Sequence, residues 1–146
     1  MTVTFFGHSN APRDIMPKLE AILIDLIENK NATKFYVGNH GNFDSMVKNT
    51  LKKLKQRYAH IDYAVVLAYI PIKRNVLDHK FYSDTIIADG IENTPPRYAI
   101  VKRNRWMIEN SDIVVTYVKY IVGGAVQFKT LAEKKGRTVI NIADHE

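Results

Sequence analysis

The amino-acid sequence predicts an α/β protein with a single Rossmann-like, doubly wound domain over residues 1–146. The predicted sheet is mostly parallel, has about five to six strands, and carries helices on both faces. Two observations lead to this fold class. Short runs rich in β-branched and aromatic residues alternate with longer amphipathic runs, and three glycine-containing stretches each follow a strand-like run directly.

The first half of the chain contains three predicted strands and two predicted helices. The strands are "TVTFF" (2–6), "KFYV" (34–37) and "IDYAVVLAYI" (61–70). The third is so continuously apolar that we expect it to lie mid-sheet with both faces covered. Apolar residues that recur every three or four positions predict one helix from Ile15 to Ile27 and another from Phe43 to Leu54. Asn42 is the expected N-cap of the second helix.

The second half begins with a long stretch of weak periodicity, from Pro71 to Pro96, which contains one possible short strand, "DTIIA". Helical spacing returns in "RYAIVKRNRWMIENS". "DIVVTYV" is a predicted strand, "AVQFKTLAEKKG" a helix with Gly136 as its C-cap, and "TVINI" a final strand. The order of elements therefore implies parallel strands joined by crossover helices.

Composition excludes several classes of protein. The chain has no cysteine, so disulfides, thiolate zinc sites and a cysteine nucleophile are excluded. No apolar run approaches the roughly 20 residues that span a bilayer, and the N-terminus lacks the features of a signal peptide. We therefore expect a cytoplasmic protein with no membrane partner.

The net charge of +6 is concentrated in one segment. Residues 31–60 hold six Lys/Arg and one acidic residue, and most of the excess lies in "KNTLKKLKQRY" (48–58). The segment is interpreted either as a solvated helix face or as a footprint for nucleic acid or another polyanion. No aromatic residues alternate with the lysines to stack bases, which weakens the second interpretation.

The three glycine stretches are "FFGHSN", "YVGNHGNFD" and the Gly-Gly pair after "DIVVTYVKYIV". In a doubly wound sheet, ligands bind beyond the carboxyl ends of the strands, where strand order reverses. Glycine there allows positive φ and close approach of a ligand, and the following helix offers N–H groups to phosphate. The predicted ligand-binding residues are Gly7, His8, Ser9, Asn10, Gly38, Asn39, Gly41, Asp44, Arg103, Asn104, Gly123, Gly124 and Ala125.

Each of these residues also has a purely structural interpretation. The glycines can serve chain turns alone, Ser9 or Asn10 can cap a helix, and Asp44 is favourable in a first helical turn. No stretch is a GxGxxG fingerprint or a P-loop, so no cofactor is predicted. Asp78 and His79 lack a third ligand at suitable spacing, so no metal site is predicted.

The ordered set "FFGHSN", "YVGNHGNFDSMV", "AIVKRNRWMIENSDIVVTYV" and "GGAVQFKTLAEKKGRTVINI" resembles the SLOG superfamily, specifically its small bacterial YpsA-like branch. The resemblance covers nearly the whole chain. It implies a Rossmann-like fold that binds nucleotides or nucleotide-derived ligands. Relatives include nucleotide-sensing modules, single-stranded-DNA-binding proteins of DNA uptake, and LOG-type phosphoribohydrolases.

The chain departs from the enzymes of that superfamily. Their GGxGTxxE loop supplies a glutamate, whose position here falls on Thr130, whereas the paired arginine position is filled by Arg103. A threonine cannot act as the carboxylate of that reaction. YpsA-like relatives also tend to read GHR where this chain has Ser9 after Gly7-His8, which removes a cation that could meet a phosphate. Whether the chain is an enzyme is therefore left open.

Three functions remain under consideration. The first is binding of a nucleotide or ADP-ribose-like small molecule without catalysis, with phosphate against Gly123, Gly124 and Ala125 and with Arg103 as counter-charge. The second is nucleotide N-glycosidase or related hydrolase activity that uses Asp44 or another acid in place of the missing glutamate. The third is nucleic-acid binding, for which the charge of +6 argues. Homo-oligomerisation is left open.

Overall fold

The computed structural model describes residues 1–68 and 85–145. The strands are β1 (Thr2–Gly7), β2 (Lys34–Val37), β3 (Asp62–Leu67), β4 (Thr85–Ile87), β5 (Ile113–Tyr117) and β6 (Thr138–Asn141). The α-helices are α1 (Met16–Asn29), α2 (Gly41–Arg57), α3 (Pro96–Glu109) and α4 (Gly124–Lys134). Short 3₁₀ turns lie at Arg13–Ile15, Ile91–Asn93 and Ile142–His145.

All six strands form one parallel sheet in the order β4-β3-β2-β1-β5-β6. The chain moves outward from β1 to β4 and then returns to place β5 on the other side of β1. In the register of that pair, Phe6 lies opposite Thr116 and Gly7 opposite Tyr117. The strand order therefore reverses between β1 and β5, and the predicted α/β fold with a doubly wound parallel sheet is confirmed.

Two apolar layers cover the two faces of the sheet. Val3 and Phe5 of β1 point into the layer that contains the buried residues of α1 and α2. Phe6, the next residue, points into the opposite layer with α3 and α4, where its ring stacks on Phe128 with centroids 5.5 Å apart. This alternation follows from the two-residue period of a strand, so β1 is buried on both faces.

The helix boundaries confirm one prediction and correct another. Gly136 follows α4 with φ of +74°, the left-handed conformation expected of a glycine C-cap. Asn42 is not the N-cap of α2. That position belongs to His40, because the helix already begins at Gly41 and Asn42 lies within its first turn.

The third predicted strand is shorter and less buried than its sequence suggests. β3 ends at Leu67, and its first residues, Asp62 to Ala64, are exposed or half-buried. Within the part of the chain that the structure describes, the short strand β4 pairs with Val65 to Leu67, and no described strand lies beside the first half of β3 on that side. The possible strand in "DTIIA" is confirmed at Thr85–Ile87. Asp78 and His79 lie outside the described residues.

Within residues 1–68 and 85–145, no helix is both long and apolar enough to cross a membrane.

Candidate functional site

A pocket of about 340 Å³ lies at the carboxyl ends of the strands, beside the point where strand order reverses. We call it the central pocket. It is bounded by the end of β1 and by the starts of α2 and α4, and α3 forms its remaining wall. The lining residues are Phe5, Phe6, Gly7, His8, Ser9, His40, Asp44, Ile100, Arg103, Asn104, Met107, Gly123, Gly124, Ala125 and Phe128. This placement is the usual position of a ligand site in an open α/β sheet.

The central pocket brings together most of the residues that the sequence suggested for ligand binding. Those that line it are Gly7, His8, Ser9, Asp44, Arg103, Asn104, Gly123, Gly124 and Ala125. Asn10, Gly38, Asn39 and Gly41 are outside this lining set. Asn10 and Asn39 are exposed beside it, whereas Gly38 is buried behind it.

Gly38 allows two charged side chains to approach each other behind the pocket wall. A Cβ atom at Gly38 would lie 2.7 Å from Asp44 Oδ2 and 3.2 Å from Arg103 Nη1. Both distances are shorter than ordinary van der Waals contact. The glycine after β2 therefore serves the close approach of side chains from α2 and α3, a role distinct from direct ligand contact.

Asp44 is the carboxylate of the central pocket. Its Oδ2 atom accepts a hydrogen bond of 3.0 Å from the backbone N–H of His40. Burial raises the pKa of Asp44 to about 6, although the His40 hydrogen bond and the charges of Arg103, His40 and Lys48 act in the opposite direction. The carboxyl group is thus mostly ionised at neutral pH and takes up a proton in mildly acidic solution.

Arg103 is a fixed cation in the pocket wall. Its side chain is buried, with 3% of the residue exposed. Nε donates a 2.7 Å hydrogen bond to Asn104 Oδ1, and Nη1 donates a 3.0 Å bond to the carbonyl oxygen of Val66 at the end of β3. These bonds hold the guanidinium group in place, so its positive charge is presented to the pocket without a change of rotamer.

Two helices begin at the central pocket, and their N-termini differ in availability. At α2, Asp44 accepts from the N–H of His40, and the Ser9 carbonyl accepts a 2.7 Å bond from the N–H of Asn42. At α4, the N-cap is Gly123, with φ of +119°, and no side chain caps the helix. Neither helix has a side-chain cap, and the first N–H groups of α4 are available to bind an anion.

The segment between β5 and α4, residues 118–123, is held by hydrogen bonds from two side chains, those of Asn141 and His8. We call it the β5–α4 loop. The Asn141 side chain bonds both backbone groups of Val118, and Nε2 of His8 accepts from the N–H groups of Lys119 and Tyr120. Beyond these anchors, Ile121 and Val122 are exposed, at 92% and 74%.

An apolar wall of the pocket was missed by sequence reasoning. It consists of Phe5, Phe6, Ile100, Met107 and Phe128. The polar residue His40 also lines the pocket and was likewise not predicted. Met107 is buried and also lines the pocket. The burial periodicity of strands and helices places such residues inside, but it does not tell a pocket wall from a core.

Thr130 lies away from the central pocket. It is exposed on α4 and lines a groove between α3 and α4, together with Arg105 and Leu131. No carboxylate from α4 therefore lines the central pocket, and among the described residues Asp44 is the one acid in its lining. Among the described residues, no group of three or more His, Cys, Asp or Glu side chains could hold a metal ion.

The basic residues of α2 are partly neutralised by acids of the same chain. Lys53 pairs with Glu20 at 3.1 Å and Lys55 with Asp62 at 3.0 Å, both at the surface. Arg57 lies 3.8 Å from Glu28, also in an exposed pair. Such pairs contribute little to stability, but they favour the interpretation of this segment as a solvated helix face.

Comparison with known proteins shows structural similarity but no significant sequence similarity. No family model matches the chain, and no curated protein is significantly similar to it in sequence. DNA processing protein A (DprA) from Streptococcus pneumoniae superposes with a TM-score of 0.67 at 14% identity, over 94% of this chain and 48% of that protein. DNA processing protein A from Helicobacter pylori superposes with a TM-score of 0.63 at 17% identity, over 95% of this chain and 63% of that protein.

The structure of the Helicobacter pylori protein describes its mode of binding single-stranded DNA. The present chain spans less than two thirds of the length of either protein. At these identities the likeness establishes a shared Rossmann-like fold.

Proposed function

We propose that this protein binds single-stranded nucleic acid, with one phosphate-bearing nucleotide held in the central pocket. The observation that carries the proposal is the joint presence in this pocket of an uncapped helix N-terminus at Gly123–Gly124 and the buried cation Arg103. Backbone N–H groups and a fixed positive charge are the elements that bind a phosphate group.

Three further observations support nucleic acid as the ligand. The fold is shared with two DNA processing proteins, one of which binds single-stranded DNA. The net charge of +6 favours association with a polyanion. The resemblance to the SLOG superfamily also agrees, because it includes single-stranded-DNA-binding proteins, and we propose that residues 1–146 form a single domain of that superfamily.

A free nucleotide or ADP-ribose-like molecule is the second candidate ligand. It is favoured by the size of the pocket, about 340 Å³, which lies at the lower end for small-molecule sites. It is also favoured by the ion pairs of α2, since Lys53, Lys55 and Arg57 are already engaged by acids of the chain. Both candidates place a phosphate at the same end of α4.

Fluorescence anisotropy with a labelled single-stranded oligonucleotide separates the two candidates. We expect affinity to fall as salt rises from about 0.05 M to about 0.2 M, with a logarithmic slope of roughly −0.7 for each phosphate contact. Unlabelled mononucleotides, NAD and ADP-ribose then compete for the site. Weak competition by all of them supports the nucleic-acid ligand. Tight binding of one of them, with no binding of the oligonucleotide, would favour the second candidate.

The site itself is tested by Gly124→Ala, because a Cβ at Gly124 meets no atom within 4 Å in the protein, and Gly124 lines the pocket in which the phosphate is proposed to bind. Loss of binding in this variant, with normal folding, is the expected result. If neither class of ligand bound the unmodified protein at low salt, the proposed function would be wrong.

A further inference from the structure

His8 accepts two hydrogen bonds on a single ring nitrogen. Its Nε2 atom lies 3.0 Å from the backbone nitrogen of Lys119 and 3.3 Å from that of Tyr120. An imidazole nitrogen can accept hydrogen bonds only when it carries no proton. The two donors therefore require a neutral ring with its proton on Nδ1, and a protonated His8 cannot make this contact.

The surroundings of His8 reinforce the neutral form. The ring is half-buried, packs on Tyr120 with centroids 4.8 Å apart, and meets the edge of Tyr117 at 6.0 Å. Burial lowers the pKa of His8 below its ordinary value of 6.5. Tyr117 belongs to β5, and Tyr120 and Lys119 belong to the β5–α4 loop, so none of these packed elements supplies a carboxylate.

The remaining titratable and charged groups that line the central pocket with His8 come from two helices. His40 precedes α2 and Asp44 lies in it, whereas Arg103 lies in α3. Of these groups, Asp44 also titrates in mildly acidic solution. Any test of His8 must therefore remove the contribution of Asp44.

The loop that His8 holds leads directly into the N-terminus of α4. Lys119 and Tyr120 are followed by the exposed Ile121 and Val122, and then by Gly123, where α4 begins. A second anchor of the loop is Asn141, whose side chain bonds both backbone groups of Val118. The contact between His8 and the two N–H groups therefore restrains the loop three residues before the N-cap Gly123.

We propose that His8 is a positioning residue for the central pocket: its neutral imidazole holds the β5–α4 loop in the shape that presents the first N–H groups of α4 to an anionic ligand. Protonation of the ring removes the acceptor, places a positive N–H against two N–H donors, and releases the loop. The anionic ligand in this statement rests on the proposed function, whereas the hold on the loop does not.

The hydrogen bonds between His8 and the β5–α4 loop are tested by NMR without any ligand. The amide signals of Lys119 and Tyr120 and the ring nitrogens of His8 are followed from about pH 8 to about pH 5. We expect a neutral ring protonated on Nδ1 at the upper end, and the two amide signals should shift as the ring takes up a proton. In His8→Gln, whose side-chain oxygen accepts hydrogen bonds and does not titrate, the two amides should not follow that transition.

The effect on binding is tested with the same labelled single-stranded oligonucleotide, and with phosphate-containing mononucleotides in parallel. At neutral pH, His8→Ala should weaken binding about tenfold, because the loss of two hydrogen bonds disorders the loop. His8→Gln should restore most of that loss. The ratio of dissociation constants for the unmodified protein and His8→Gln cancels the titration of Asp44, and this ratio should rise as the pH falls.

Two results would overturn the proposal. One is a ratio that stays constant with pH together with amide signals that do not sense the ring. The other is a ratio that falls at low pH, which would mean that protonated His8 binds the phosphate directly. If no oligonucleotide or mononucleotide bound at any pH, the proposed function would fail, and the NMR result alone would decide whether His8 holds the loop.

Discussion

The side-chain amide of Asn141 forms hydrogen bonds with both the backbone N–H and the backbone carbonyl group of Val118. Its Oδ1 atom accepts from the N–H of Val118 at 2.9 Å, and its Nδ2 atom donates to the carbonyl oxygen of Val118 at 3.0 Å. Oδ1 also accepts a 3.1 Å bond from the Thr116 hydroxyl. A residue at the end of β6 thus satisfies the backbone of the first residue after β5, in the way that a neighbouring strand would.

Replacing Asn141 by alanine should lower the free energy of unfolding by about 2 kcal/mol, because the buried Thr116 hydroxyl and the partly buried backbone groups of Val118 lose their partners. Urea denaturation measures the change. Asn110→Ala is the matched control, since its Nδ2 atom also donates to a carbonyl, that of Trp106 at 2.8 Å, but in an exposed position. Equal losses in the two variants would contradict the role assigned to Asn141.

The glycine that begins α4 and the glycine that follows it should respond to alanine in opposite ways. Gly124 has open space at its Cβ position and does not adopt a positive φ, so Gly124→Ala should fold normally and weaken ligand binding. Gly136 has φ of +74°, so Gly136→Ala should cost about 1 kcal/mol of stability and leave binding intact. Thermal unfolding and anisotropy on both variants give the comparison. If both variants lost binding, the cause would be a less stable α4 and not a contact between residue 124 and the ligand.

Gly7→Ala should destabilise the protein by about 1–3 kcal/mol, the range for overpacking a filled core. A Cβ at Gly7 would overlap the ring of Phe43, which is fully buried. Denaturant titration measures the loss. The double variant Gly7→Ala/Phe43→Leu makes room for the added methyl group, so the combined loss should be smaller than the sum of the two single losses. Simple additivity would rule out this contact as the cause.

The raised pKa of Asp44 predicts a pH-dependent stability. The group binds its proton more tightly when folded, with a pKa of about 6 against 3.8 for the ordinary carboxyl. Its favourable contribution is therefore present below pH 3.8 and is lost as the pH rises through about 6. Relative to Asp44→Asn, the unmodified protein should lose about 1–3 kcal/mol between pH 4 and pH 7. A difference that does not change with pH would contradict the prediction.

The fold follows from the sequence because the strands and helices carry strong local patterns. β1 and β5 are continuous apolar runs, and the helices repeat every three or four residues, so their order alone implies a parallel sheet. The extent of β3 was overestimated. Its apolar residues indicate burial on both faces, but which part of the strand is covered depends on other elements of the fold and is not encoded within β3 itself.

The sequence predicted the glycines of the site but not its apolar wall. Gly7 is the last residue of β1, Gly123 and Gly124 lie where the β5–α4 loop meets α4, and the topology brings them to one pocket. The fixed orientation of Arg103 depends on the carbonyl of Val66, which is distant in sequence. Sequence reasoning finds residues whose role is set by the nearest strand or helix, whereas partners supplied by another element become visible only in three dimensions.

The turn after β1 and the start of α2 are fitted to each other at two places. Phe43 packs where Gly7 has no side chain, and Ser9 packs against Gly41, where a Cβ would lie 2.6 Å from the Ser9 Cα atom. Neither contact tolerates a larger partner on one side alone. In an exchange of segments with a related protein, we therefore expect residues 1–57 to transfer as one block, and a transplant of residues 1–30 alone to give poorly folded chimaeras.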